Sequence, residues 1–334
     1  MTEAKARRSR VLSGMRPTGP LHLGHLVGAL ENWVAFQDRY ECLYAIVDWH
    51  ALSTEYADTR SIRANVREVA IDWLASGLDP DRCDMFVQSD VKEHAELHLL
   101  LSMIVPLPWL ERVPTYKEQQ RELREKSLNT YGFLGYPLLQ AADILVYQAD
   151  LVPVGEDQVP HLELTREIGR RFNQIYKTVF PEPQARLTPA PRLPGTDGRK
   201  MSKSYGNAIY LGDTPKEVGK KLDSMLTDPQ RTHRHIPGDP EVCPVYHTHK
   251  IFSASDTIEW AAAGCRTAGI GCRDCKGALK ESLVARLGPI RERRVELEAE
   301  PGKVDEILSR GAEHARVLAG RTMDRVRRAM RIQR

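Results

Sequence analysis

The chain has 334 residues, with 48 Lys and Arg against 45 Asp and Glu and a net charge of +3. It is long enough for one large or two medium globular domains, and so even a charge balance says little about partners. No run of about 18 apolar residues occurs, which excludes a membrane-spanning helix, and the opening MTEAKARRSR with the following VLSGMRPTG is too short and broken for a secretory signal. The expectation is a cytoplasmic protein whose six cysteines are reduced and form a metal site or core rather than a disulfide framework.

In chain order, residues 10–14 (RVLSG) predict a strand, MRPTGP a turn, and 21–40 a helix with Leu26, Leu30, Trp33 and Val34 at helical spacing. The apolar run CLYAIVDWH, 42–50, predicts a buried parallel strand delivering Asp48 and His50 at its carboxyl end. A helix over 60–76 leads to a third strand, MFVQSD. This alternation predicts a doubly wound α/β fold, Rossmann-like, with ligands outside the carboxyl ends of the strands. Residues 91–136 break the pattern and predict a helical insertion containing VPLPW and the charged YKEQQRELREK. A helix over 137–147, the strand LVPVG and a helix over 156–176 follow. Then come a Pro-rich connector through FPEPQARLTPAPRLPGTDG and helices beyond Gly212. The predicted domains are a catalytic unit, 1–211, and an α-helical unit, 212–334. Its end, RTMDRVRRAMRIQR, predicts a helix with Met323, Val326 and Met330 inward and a basic outer face that could meet RNA or simply be solvated.

Two local patterns carry chemistry. His22 and His25 lie three apart at the start of a helix, where free N–H groups and the dipole favour an anion; taken alone, a His-x-x-His pair is a weak metal signal and reads better as satisfied or exposed histidines. Lys200-Met201-Ser202-Lys203-Ser204, between Gly198 and Gly206, suits a mobile clamp bringing positive charge onto phosphate, or a solvated loop. Asp143 lies in the apolar stretch LLQAADILVY, where an unpaired carboxylate is expensive and needs a buried donor. Finally, Cys243, Cys265, Cys272 and Cys275, spaced C-x21-C-x6-C-x2-C, place three cysteines on one Gly-punctuated loop and a fourth in a turn. Four thiolates permit zinc or an iron-sulfur cluster.

Together His22-Leu23-Gly24-His25 and the KMSKS stretch resemble the two motifs of class I aminoacyl-tRNA synthetases. YPLLQAADILVY and VPVGEDQVPHLELTREI resemble the tryptophanyl branch, and the similarity runs over essentially the whole chain. The resemblance implies that tryptophan is activated with Mg2+-ATP and transferred to the terminal 2′-hydroxyl of tRNA(Trp) by a homodimer whose helical part meets the anticodon. It implies catalytic roles for His22, His25, Lys200 and Lys203. ATP would be held by Arg16, Pro17, Thr18, Gly24 and His25, its ribose by Gly155, Glu156 and Asp157, its adenine by Leu193, and its pyrophosphate by Lys200, Met201, Ser202, Lys203 and Ser204. For tryptophan it implies His50, Tyr136, Gln140, Asp143 and Gln158, with the indole N–H as the donor that Asp143 needs. It also turns the cysteine quartet toward a 4Fe-4S cluster, with structural Zn2+ as the alternative. The rivals are a tyrosyl enzyme of the same fold, against which GEDQ argues, a nucleotidyltransferase using both motifs without tRNA, and a non-catalytic paralogue.

Overall fold

The computed structural model describes residues 8–114, 116, 128–187 and 193–333; most of the charged stretch of the insertion lies outside them. Strands β1 (Arg10–Met15), β2 (Glu41–Ile46), β3 (Cys83–Val87), β4 (Leu151–Val154) and β5 (Gln184–Leu187) form one parallel sheet in the order β3-β2-β1-β4-β5. β1 and β2 run in register from Arg10 beside Glu41 to Met15 beside Ile46. β5 stands inside the expected connector. It is an edge strand with one half-buried residue among exposed ones, so it carries no apolar alternation to read.

Side chains of the central strands alternate between two cores. Val11, Cys42, Tyr44, Ile46, Cys83 and Met85 face one; Leu12, Leu43, Ala45 and Phe86 face the other, the period of two that a pleated strand imposes. The expected helix after β1 is three pieces: α1 (Leu23–His25), a π-helical turn at Leu26–Leu30 and α2 (Glu31–Phe36). After β2 comes α3 (Asp48–Glu55), so His50 stands in the first turn of a helix and not at a strand end. α4 (Ile62–Ala75) precedes β3, and the third strand stops at Val87, leaving Gln88–Asp90 as a 3-10 turn. The insertion holds α5 (Glu93–Ser102), α6 (Leu107–Glu111) and α7 (Tyr131–Leu134); α8 (Tyr136–Val146) and α9 (Val159–Ile175) flank β4.

Beyond Gly212 the described chain is helical: α10 (Pro215–Ser224), α11 (Pro244–Phe252), α12 (Ser255–Arg266), α13 (Cys272–Ala299) and α14 (Pro301–Met330). These helices share the cores of the sheet. α13 adds Leu279, Leu283, Leu287 and Ile290 to the first, and α14 adds Val304 and Leu308 to the first but Ala312, Ala315, Ala319, Met323 and Val326 to the second. α14 therefore crosses the edge strand β3, and it crosses at Gly311, where a Cβ would fall 2.0 Å from the Met85 carbonyl oxygen. The basic face expected on this helix is partly spent within the chain: Arg327 grips the Glu96 carboxylate and Arg325 holds Gln148 and the Val179 carbonyl.

Candidate active site

The turn after β1 is built by the two histidines themselves. His22 caps α1: its Nδ1 accepts from the Gly24 N–H at 3.1 Å, and its own N–H donates to His25 Nδ1 at 3.2 Å. The rings lie 3.9 Å apart. Gly24 is required because a Cβ there would sit 2.9 Å from the His22 ring. Burial, with Lys203 and Lys200 nearby, lowers the His22 pKa to about 4, and burial beside His22 and Lys203 lowers His25 to about 2. Both are neutral near pH 7. Since each Nδ1 already accepts a backbone N–H, each Nε2 carries the proton. The pair is thus two aimed, uncharged donors, suited to anionic oxygens and unsuited to a metal, which needs a bare nitrogen.

Behind this turn the Leu21 N–H donates to Asp72 Oδ2 at 2.7 Å, and Asp72 is fully buried against Arg294 of α13. Burial pushes the Asp72 carboxyl up to about 6 against the pull of Arg294 and Leu21. Leu23 and Leu211 bond to Ile209 and Leu21, so the segment following the lysine loop is stitched to the histidine turn.

Asn207, 2% exposed, shapes the lysine loop. Its Oδ1 accepts from the Ser202 N–H at 2.8 Å and its Nδ2 donates to Asp197 and to the Lys200 carbonyl. Lys203 Nζ reaches across to the Gly19 carbonyl at 2.6 Å and to Thr18 Oγ1 at 3.4 Å. The loop is closed over the turn at residues 16–19. Burial lowers Lys203 to about 8, which leaves it mostly charged at pH 7. Lys200 and Ser204 are exposed. Leu193 and Met201 turn their side chains into the first core, so Leu193 does not face the main cavity as an adenine wall would.

That cavity, of about 330 Å³, opens at the carboxyl ends of β1, β2 and β4, where the strand order reverses. Its walls include Arg16, His50, Tyr136, Gln140, Asp143 and Gln158, together with His161. Arg16 donates to Thr54 while its buried Nε has no protein partner. Gly155, Glu156 and Asp157 follow β4, between the cavity-lining Val154 and Gln158, and Gly155 leaves room for the Asp157 carboxylate, which a Cβ would meet at 2.7 Å. Asp143 does not wait for a ligand to supply a donor. Its carboxylate accepts from His94 Nδ1 at 2.6 Å, from Gln88 Nε2 at 2.8 and 2.9 Å, and from His50 Nε2 at 2.8 Å. Burial alone would raise its pKa; His94 and His50 outweigh it and hold the group well below the usual carboxylate range. Gln88, His94, His161 and Asn207 did not stand out in the sequence: the partners of the first three lie 25 or more positions away, while Asn207 looks like an ordinary loop residue although its partners are only 5 to 10 positions away. The available signal was a polar residue on an otherwise apolar face, as His94 is among Val91, Leu97 and Leu101.

The four cysteines converge from helix ends and not from one loop. Cys243 caps α11, Cys265 lies in the last turn of α12, and Cys272 and Cys275 occupy the first turn of α13. All four line a second, small cavity with Val245, Ile270 and Arg231. Burial and the neighbouring thiols raise Cys275 to about 12, and burial also raises Cys265 against the pull of Arg231. Among the described residues no group of three or more His, Cys, Asp or Glu is arranged to hold a metal ion.

Residues 4–288 match the family of class I tRNA synthetases for W and Y. The chain belongs to this family. The tryptophan–tRNA ligase of Thermotoga maritima is 55% identical over 325 residues, covering 97% of this chain and 99% of the relative. That of Aquifex aeolicus is 44% identical, covering 97% and 100%. A crystal structure of Campylobacter jejuni tryptophanyl-tRNA synthetase complexed with ADP and tryptophan superposes with a TM-score of 0.88 at 34% identity, covering 96% of this chain and 99% of that one. No described helix is long and apolar enough to cross a membrane.

Proposed function

We propose that this chain is a tryptophan–tRNA ligase. The observation that carries the reading is the ionised, buried Asp143 in a cavity beside the neutral histidine pair and the closed Lys203. The carboxylate of tryptophan attacks the α-phosphorus of Mg2+-ATP, the bond to the β-phosphate oxygen breaks, and pyrophosphate leaves; the 2′-hydroxyl of the tRNA terminal adenosine then takes the acyl group and releases AMP. No protein nucleophile is needed, so the chain's work is positioning and charge stabilisation.

In this reading His22 and His25 donate Nε2–H to phosphate oxygens beside Arg16, Pro17, Thr18 and Gly24. Lys203 leaves the Gly19 carbonyl for the departing pyrophosphate, helped by Lys200 and the backbone and hydroxyls of Met201, Ser202 and Ser204. Gly155, Glu156 and Asp157 meet the ribose, and the Leu193 segment meets the adenine through its backbone. Asp143, with His50, Tyr136, Gln140 and Gln158, selects the indole. The catalytic unit is 1–211 and the anticodon-facing unit 212–334, acting in the cytoplasm as a homodimer. Exposed Leu99 on α5, Met103 just after it, Leu107 on α6 and Tyr131 on α7 support a self-association face, which light scattering at micromolar concentration tests. Amino-acid-dependent ATP–pyrophosphate exchange tests the activity: tryptophan supports it and tyrosine and phenylalanine do not, and equal exchange with tyrosine overturns the assignment.

Cys243, Cys265, Cys272 and Cys275 fit a 4Fe-4S cluster better than a single zinc ion. They line one cavity at three helix ends, and Arg231, which pulls against the raised Cys265 pKa, would offset part of the charge that four cluster-bound thiolates bring. Such a cluster would supply a structural cross-link among three helix ends. Anaerobically purified protein is then brown with about four iron and four sulfide per chain; colourless protein with about one zinc rejects the cluster.

A further inference from the structure

We propose that Gln88 and His94, the latter backed by Tyr147, are positioning residues that fix the Asp143 carboxylate as the acceptor for the amino-acid side chain. This rests on the reading of Asp143 as the selector of the indole. All three are fully buried and none lines the cavity, whereas Asp143 and His50 do. They therefore hold Asp143 from behind and touch no substrate.

The donor directions are set by the structure. Gln88 Oε1 accepts from the Trp49 N–H at 3.2 Å, which turns Nε2 toward both Asp143 oxygens. Gln88 thereby ties the first turn of α3, which carries His50, to the middle of α8, which carries Asp143. Tyr147 Oη lies 2.6 Å from His94 Nε2, and burial next to Asp143 raises its phenol well above the usual range. The phenol stays protonated, so Oη can give a hydrogen to Nε2 or accept one from it, and in either case it holds the ring with Nδ1–H pointing at Asp143 Oδ1. With Oδ1 and one side of Oδ2 taken from behind, the cavity-facing lone pair of Oδ2 is the one left for a ligand, and His50 holds it meanwhile. The indole N–H of tryptophan replaces one donor by another as His50 swings aside.

Asp143 is faced by His94 and His98 from α5, His50 from α3, and Tyr147 from its own helix end, with Arg16, Tyr136 and His161 across the cavity. Burial works against its charge. Removing the rear donors therefore lets the carboxyl take up a proton at higher pH, where it no longer accepts from the indole.

The test is pyrophosphate exchange from pH 5 to 8 with His94→Leu, His94→Asn and Gln88→Leu. Asn can place its amide N–H where Nδ1–H stood. His94→Leu and Gln88→Leu should raise KM for tryptophan about 10- to 100-fold, the loss of a hydrogen bond to a charged group, with KM for ATP within about 2-fold. The tryptophan defect should grow as pH falls, while His94→Asn restores most of the affinity and a flat profile. A pH-independent loss shared equally by both substrates, or no rescue by Asn, overturns the proposal. Asp143→Asn separates the two ideas: if it leaves KM for tryptophan unchanged, the reading of Asp143 itself fails; if it is damaging while the rear variants are silent, only the positioning role fails.

Discussion

Acidification should strike the histidine turn first. An unfolded histidine titrates near 6.5, whereas His22 and His25 titrate at about 4 and about 2 in the folded chain, because protonation would break the Nδ1 caps and place charge in a buried site beside two lysines. Groups whose folded pKa is depressed in this way favour the fold above their unfolded pKa and lose that stability as pH falls below it. Between pH 7.5 and 5 each contributes a loss of about 2 kcal/mol, ~4 kcal/mol for the pair. A variant with His22→Asn and His25→Asn keeps side-chain oxygens that can accept the same N–H groups but has nothing to titrate. The assay is reversible urea unfolding, followed by tryptophan fluorescence, of both proteins at pH 7.5 and 5. Other titrating groups cancel in the difference. Wild type should lose ~4 kcal/mol more than the variant; equal losses would mean that the imidazoles are not held neutral by this geometry.

Lys203→Ala should lower kcat and kcat/KM for adenylate formation together, since the lysine is parked on Gly19 until the reaction draws it away; a rise confined to KM for ATP would make it a ground-state binder. Arg294→Met leaves Asp72 buried without its partner and should cost about 3–5 kcal/mol in denaturant unfolding. The cost should shrink as pH falls through about 6, where Asp72 itself takes up a proton; a loss under about 1 kcal/mol would show that the pair is solvated. Gly311→Val should abolish stable folding or force α14 off β3, because the atoms it meets are the backbone of Met85 and cannot turn aside; an unaltered melting temperature would refute that crossing.

What could be read from the sequence was local. β1 to β4 are short apolar runs with turn residues at their ends, and the histidine turn and lysine loop each fit within ten residues. The network behind Asp143 was closed to such reading, because its members come from 49, 55 and 93 positions away and each looks ordinary in its own helix or turn. That distance also explains why the chain's own donors to Asp143 went unnoticed: a buried carboxylate was evident, but which protein groups satisfy it before a ligand arrives depends on packing. The internal contacts of two α14 arginines were hidden for the same reason. Arg327's partner Glu96 lies 231 positions earlier and Arg325's partner Gln148 lies 177 earlier, so a face that looks free in sequence is partly occupied in space.

The crossing of α14 over β3 also sets an order of events during synthesis. Met85 and Phe86 leave the ribosome long before Gly311 does; 226 residues separate Met85 from Gly311, about 10–45 s at roughly 5–20 residues per second. Until then the edge of the sheet and the apolar side chains beside it have no permanent cover, and a growing chain must shield them with a chaperone or with transient packing of its own. A product released before α14 is made would carry both the histidine turn and the lysine loop and still leave the β3 edge open to pairing with another chain. The edge of the sheet is thus sealed only after α14 has left the ribosome.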